Sequence, residues 1–156
     1  MAVCLLACNQ EEVFLNKPEP PTGAIEYLNY CRKYGITVDG KYIQPAGELK
    51  WHPKLQEVAD LQTKYMYNTG FALSTWHNTS TLSERFMAVD YPRFHVADIL
   101  SRVATKDTIY FLDYSMRSTK MRAKIMGANF NNVAISRFAR PRDGKLQVNW
   151  AMILSN

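Results

Sequence analysis

Apolar residues recur at helical spacing through most of the chain and at strand spacing near its end. In Thr22-Gly-Ala-Ile25-Glu-Tyr-Leu28-Asn-Tyr-Cys31-Arg-Lys-Tyr-Gly35 they fall at 25, 28 and 31, which predicts a helix with Gly35 as its stop. Residues 36–49 carry Gly40, Pro45 and Gly47 and read as loop with one short strand. A second helix starts at His52-Pro53-Lys54-Leu55, where proline at the first position gives up no hydrogen bond. Leu55, Val58, Ala59, Gln62, Tyr65 and Met66 share one of its faces, and Gly70 ends it. The stretch 68–80 is polar and turn-rich and contains Trp76 and His77. Thr81-Leu-Ser-Glu84 has the spacing of a capping box and opens a short helix through Phe86 and Val89, closed by Asp90-Tyr91-Pro92.

Residues 94–104 fit strand or turn equally. In 105–117, Ile109, Leu112 and Met116 have helical spacing, yet the β-branched and aromatic content also suits a strand. Residues 118–126 predict a short basic helical turn ending near Gly127. Val133, Ile135 and Phe138 lead to Pro141-Arg-Asp143-Gly144, after which Leu146, Val148, Trp150 and Met152 alternate with polar or small residues. Two alternating runs around Asp-Gly predict a β-hairpin. Helices first and an antiparallel hairpin last make an α+β pattern.

Composition narrows the class further. The chain has 156 residues, 47% hydrophobic and 21% charged, which suits one globular core without disulfide staples. Nineteen Lys and Arg against 14 Asp and Glu leave a net charge of +5. This surplus permits an anionic partner but falls short of a nucleic-acid footprint unless it gathers into one stripe. No apolar run reaches the ~18 residues of a membrane span, and no repeat or heptad pattern is present.

Cys4, Cys8 and Cys31 are too few for a disulfide framework, and no CxxC or Cys/His spacing suggests zinc. Cys31 sits mid-helix as a small buried hydrophobe. Leu5-Leu6-Ala7-Cys8 is similar to the end of a bacterial lipoprotein signal, in which the cysteine is acylated after cleavage. The acidic, Pro-rich residues that follow, with Pro18, Pro20 and Pro21, read as a tether. A signal ordinarily has a basic start and a longer apolar stretch, so incidental cysteines in a disordered or locally packed N-terminus remain the alternative. The expected organisation is an N-terminal signal remnant and tether over 1–21 and one domain over 22–156.

Several of these landmarks resemble one family. Ile25-Glu-Tyr-Leu-Asn-Tyr-Cys-Arg-Lys-Tyr-Gly35 is similar to the opening helix of the CAP superfamily, the cysteine-rich secretory, antigen 5 and pathogenesis-related 1 proteins, in its bacterial SCP-like branch. That helix carries a central Asn, Arg three residues later and a terminal Gly. Leu49-Lys-Trp51-His-Pro-Lys-Leu55 resembles the family's Leu-x-Trp-x-x-x-Leu opening of its second helix, and Ser83-Glu84-Arg85 with Asp90-Tyr91-Pro92 its next short helix, with Asp in place of a Gly. Residues 116–135 follow the bacterial Met-x-Ser-x-x-His-Arg-x-x-Ile-Leu-x-x-x-Phe-x-x-Val-Gly-Val pattern almost without gaps, and Asn149-Trp150 falls where the family has an aromatic-Trp pair. The resemblance covers about residues 22 to 154. It implies a three-layer α-β-α sandwich with a mostly antiparallel sheet, and it favours helix over strand for 105–117.

The resemblance also implies a cavity in which two histidines and acidic residues hold a divalent ion. The first histidine corresponds to His77, and Asp98 is a shortened substitute for the acidic residue. Met121 stands in the place of the second histidine, and a thioether is a poor zinc ligand. The expectation is therefore a degenerate cavity with no metal, no cofactor and no catalytic residue, in which His77, Asp98, Trp76, Tyr91 and Met121 meet a ligand. Phe94 is a further aromatic beside this groove. His52 reads as a surface residue at a helix start and His95 as incidental. No Gly-x-Ser-x-Gly elbow is present for a serine hydrolase.

Arg117, Lys120, Arg122 and Lys124 form the densest basic run, and Arg137, Arg140 and Arg142 a second. Both read first as solvated faces. Tyr110, Phe111 and Tyr114 precede the first run but suit a core as well as a stacking platform, so no nucleic-acid partner is expected. The leading expectation is an exported, non-catalytic domain in the cell envelope or outside the cell. Its ligand would be a lipid, peptide, cell-wall fragment or protein, and Cys8 would anchor it to the membrane. The alternatives are a metal-dependent envelope hydrolase centred on His77 and Asp98, and a basic surface that docks an acidic partner.

Overall fold

Ala24–Tyr34 forms the first helix, α1, in the computed structural model, which describes residues 23–72, 81–92 and 95–156. Trp76, His77, Phe94, Cys4, Cys8 and the N-terminal tether lie outside the described residues. The chain divides into two compact units. One takes in the described residues up to Leu49 together with Asp107–Ala128, and the other is Lys50–Lys106 with Asn129–Asn156.

In the first unit, Tyr27, Leu28 and Cys31 on α1 are buried, as the helical spacing predicts. Gly35 follows at φ +69°, a conformation that L side chains rarely adopt. The residues expected to be mostly loop form a small antiparallel hairpin, β1 (Ile36–Val38) and β2 (Lys41–Ile43). Its turn is Asp39-Gly40, with both residues at positive φ. Thr108–Arg117 is a helix, α4, which settles the ambiguous segment. The deciding feature is local: Asp107 accepts hydrogen bonds from the Ile109 and Tyr110 N–H groups and so caps the helix start. Phe111, Leu112 and Met116 are buried, while Tyr110 and Tyr114 are exposed. The next helix, α5 (Thr119–Ile125), is capped by Ser118. Arg122 corrects the reading of the basic run as a solvated face, because it is buried and donates to the Met116 and Arg117 carbonyls at the end of α4.

The second unit is built on a four-stranded sheet in the order β3-β5-β6-β4. Its strands are β3 (Lys50–Trp51), β4 (Val96–Arg102), β5 (Asn132–Arg142) and β6 (Lys145–Ser155). Among the described strands, the short β3–β5 pairing is parallel and the others are antiparallel. The predicted C-terminal hairpin is β5–β6, paired from Asn132↔Ser155 to Arg142↔Lys145 and turned at Asp143-Gly144, both at positive φ. Simple alternation fails in β6, since every residue from Val148 to Ser155 is buried. β6 is a central strand, paired on one edge with β5 and on the other with β4.

Among the described residues of this unit are two helices, α2 (Pro53–Thr69) and α3 (Leu82–Ala88). Leu55, Val58 and Ala59 of α2 pack with Phe86 of α3, Tyr91, Ala134 of β5, and Ala151 and Ile153 of β6. The capping box holds: Thr81 accepts from the Glu84 N–H, and the Glu84 carboxylate accepts from the Thr81 N–H. Among the described residues, five helices, one antiparallel two-stranded sheet and one mixed four-stranded sheet give the α+β class. Among the described residues, no helix is long and apolar enough to cross a membrane.

Candidate functional site

The inward face of α2 is not wholly apolar. Gln62 and Thr63 are buried within the stripe of Leu55, Val58, Ala59 and Met66. A buried polar group must find partners or carry a desolvation cost of ~1–3 kcal/mol. Thr63 Oγ1 lies 3.3 Å from Ser136 Oγ on β5, and Ser136 Oγ donates to Asp60 Oδ1. Gln56 Nε2 donates to Asp60 Oδ1 at 3.1 Å and to the Ile135 carbonyl at 3.0 Å. Gln62 Oε1 accepts from Nη2 of Arg85 on α3.

Arg85 is the central charge of this site. The capping box starts α3 so that Arg85 points inward, with 3% of its surface exposed, and its guanidinium sits 4.7 Å from the centre of the Tyr65 ring. Burial lowers its pKa, while the ionisable Tyr65 and the carboxylates of Glu84 and Asp98 pull the other way. Asp98 lies on β4, paired in register with Ile153 of β6, and is half-buried. Of the three groups that raise the Arg85 pKa, Asp98 contributes least, behind Tyr65 and Glu84.

Tyr91, expected beside a ligand, is a core residue with 8% exposure. Its hydroxyl lies 2.6 Å from Ser155 Oγ, and its ring stands 5.7 Å from that of Phe86. His52 corrects the expectation of a surface histidine. It is half-buried and meets Tyr91 edge-on at 4.9 Å between ring centres, with Nδ1 buried. His95 is exposed, and its backbone exchanges hydrogen bonds with Asn156. Met121 lies in the first unit, half-buried on α5, where its N–H donates to Ser118 Oγ. Asp98 and Tyr91 both belong to the second unit, and His77 and Trp76 lie outside the described residues. Among the described residues, no three His, Cys, Asp or Glu side chains gather as a metal site.

Sequence reasoning missed Arg85 as a buried cation and treated Gln62 as part of an apolar stripe. A lone polar residue at a core position of a helix was the available signal.

No family model matches the chain, and no curated protein matches it. Among solved structures, it is similar to an extracellular protein containing an SCP domain from Bacillus anthracis, with a TM-score of 0.63 and 13% identity over 85% of this chain. The fold is SCP-like. A cysteine-rich secretory protein from Staphylococcus aureus agrees with a TM-score of 0.56 and 14% identity over 94% of this chain. An outer surface protein from Borrelia burgdorferi agrees at 0.55 and 12% over 71% of this chain and 80% of its own. This SCP-like chain spans 39% of the Bacillus protein and 40% of the Staphylococcus protein, about two fifths of each.

Proposed function

We propose that this SCP-like chain is a non-catalytic binding domain that works in the cell envelope or outside the cell. The observation that carries the reading is Met121, which stands where the resemblance puts a second metal-binding histidine in a chain whose fold is SCP-like. A thioether is a poor replacement for an imidazole as a divalent-metal ligand. The location draws on the neighbours, which are an extracellular protein, an outer surface protein and a cysteine-rich secretory protein. In this reading residues 22–156 form the domain, 1–21 are a signal remnant followed by a Pro-rich tether, and Cys8 is acylated. His77, Trp76 and Asp98 meet a small ligand or envelope component.

Calorimetric titration of the purified chain with zinc, run beside a labelled-peptide hydrolysis assay, tests the reading. The expected result is no stoichiometric zinc complex and no turnover. Native mass spectrometry of the chain taken from its host's envelope should then show an added mass. A one-to-one zinc complex with hydrolysis, both lost in His77→Ala, would establish a metal-dependent hydrolase instead.

A further inference from the structure

Three cations converge at the far end of the second unit's sheet. Arg102 ends β4, Arg142 ends β5 and Lys145 begins β6, with Arg142 and Lys145 directly paired across the hairpin. Together with Val103, Ala104, Leu146 and Val148 they line a cavity of about 420 Å³. Asp143 is the one carboxylate in that wall, so three positive charges meet a single negative one. Among the described residues, no ion pair involves Arg102, Arg142 or Lys145.

The two guanidiniums are held, not merely exposed. Arg102 Nη2 donates to the Met66 carbonyl at 3.3 Å, and Arg142 Nη1 to the adjacent Tyr67 carbonyl at 3.4 Å. Both carbonyls lie near the C-terminal end of α2, where a helix favours cations. Arg102 Nε also donates to Asn149 Oδ1 at 3.1 Å, which fixes the plane of its fork. Each guanidinium has five N–H donors, so both keep donors beyond those bonds. Burial and then the neighbouring Arg142 charge lower the pKa of Arg102, a sign that the two like charges strain one another.

We propose that this cavity is an oxyanion site that takes a phosphate group, with Arg102 and Arg142 as paired forks and Lys145 as a third point charge. Planar guanidiniums match the oxygens of a phosphate, and a bridging anion relieves the repulsion between them. The apolar wall of Val103, Leu146 and Val148 suits a phosphate ester with a small hydrocarbon part, and the cavity has the size of a small-molecule site. Asp98 and Arg102 lie four residues apart on β4, roughly 13 Å at the rise of a strand. The cavity is thus separate from the Asp98 and Arg85 site and does not depend on its function.

Nitrogen–proton NMR of the full chain, titrated with inorganic phosphate at constant ionic strength, tests the proposal. The expected result is saturable shifts confined to residues 102–104 and 142–148. Lys145→Gln, a surface change with no fold to support, should weaken binding about tenfold, as should Arg142→Gln, since hydrogen bonds to charged groups are the strong ones. Asp143→Asn should tighten it. Flotation with phosphatidylglycerol against phosphatidylcholine vesicles separates the sources. Vesicle binding lost in Lys145→Gln assigns a lipid headgroup, and phosphate binding without it assigns a soluble ester. Shifts spread over every exposed basic residue, or a Lys145→Gln chain that titrates like the parent, would overturn the site.

Discussion

The Asn29 side chain donates to the Leu49 carbonyl and accepts from the Leu49 N–H, each at 2.8 Å. One amide thus satisfies both backbone groups of a residue 20 positions on, as a neighbouring strand would. Leu49 is buried, so neither group has water as a substitute. Asn29→Asp keeps the acceptor, loses the donor and sets a negative charge against the Leu49 carbonyl. A loss of about 1–3 kcal/mol is expected, the cost of an unsatisfied buried group. Urea denaturation with an unchanged m-value checks it, and a midpoint equal to that of the parent would remove Asn29 from this role.

Arg32, one turn further along α1, reaches three backbone carbonyls. Nε donates to Gly47, and Nη1 donates to Ile125 and, at 3.1 Å, to Gly127. It thereby closes the C-terminal end of α5 and ties down the residues that precede Leu49. The side chain is fully buried, and burial lowers its pKa. Lysine keeps the charge but brings a single ammonium where a planar fork spans separate carbonyls. Arg32→Lys should therefore cost at least ~2 kcal/mol, the scale of lost hydrogen bonds to a charged group. A thermal melt within a degree of the parent would show that the fork is dispensable.

Gly35 combines a φ of +69° with no room for a side chain. A Cβ there would lie 2.5 Å from the Ile43 carbonyl oxygen and from the Tyr42 hydroxyl. The Tyr42 ring can swing away, but the Ile43 oxygen belongs to β2 and can shift only by distorting the hairpin. Gly35→Ala should destabilise by more than the ~1–3 kcal/mol of a side chain in a sparsely populated positive-φ conformation alone. Gly40→Ala is the control, because its φ is +73° but nothing lies within 4 Å of an added Cβ. Equal losses in the two variants would mean that backbone conformation, and not crowding, governs both sites.

These positions show where the sequence was informative. The motif with Asn29, Arg32 and Gly35 was legible as a resemblance, but its cause lies in carbonyls at Leu49, Gly47, Ile125 and Gly127 that no local pattern reveals. Helix ends were legible because their chemistry is local, as with Pro53 and Gly70, or Thr81 and Glu84. Segment 105–117 was ambiguous by periodicity, and the Asp107 cap that resolves it was itself local. β6 read as half-exposed because alternation assumes one dry face, whereas strand order is set by pairings with β4 and β5. The candidate site was the least legible part. Asp98 stands on β4 and Arg85 on α3, and no local pattern tells how charges on two separate elements bear on one another.

Asp98 and Arg85 offer the sharpest test of whether the carboxylate serves a metal or a guanidinium. If the carboxylate's work is to offset a buried cation, Asp98→Asn removes compensation from Arg85 and Arg85→Met leaves Asp98 without its counter-charge. Each single change should then destabilise the chain. The double variant should lose less than the sum, with a coupling energy of ~0.5–3 kcal/mol, as found for residues sharing one network. Chemical denaturation of the four chains gives the cycle directly. A carboxylate serving as a metal ligand makes a different forecast: Asp98→Asn would weaken zinc binding and leave stability without zinc unchanged, with no coupling to position 85. Additivity within about 0.3 kcal/mol, the scatter of independent sites, would separate the two charges and leave Asp98 open to a metal.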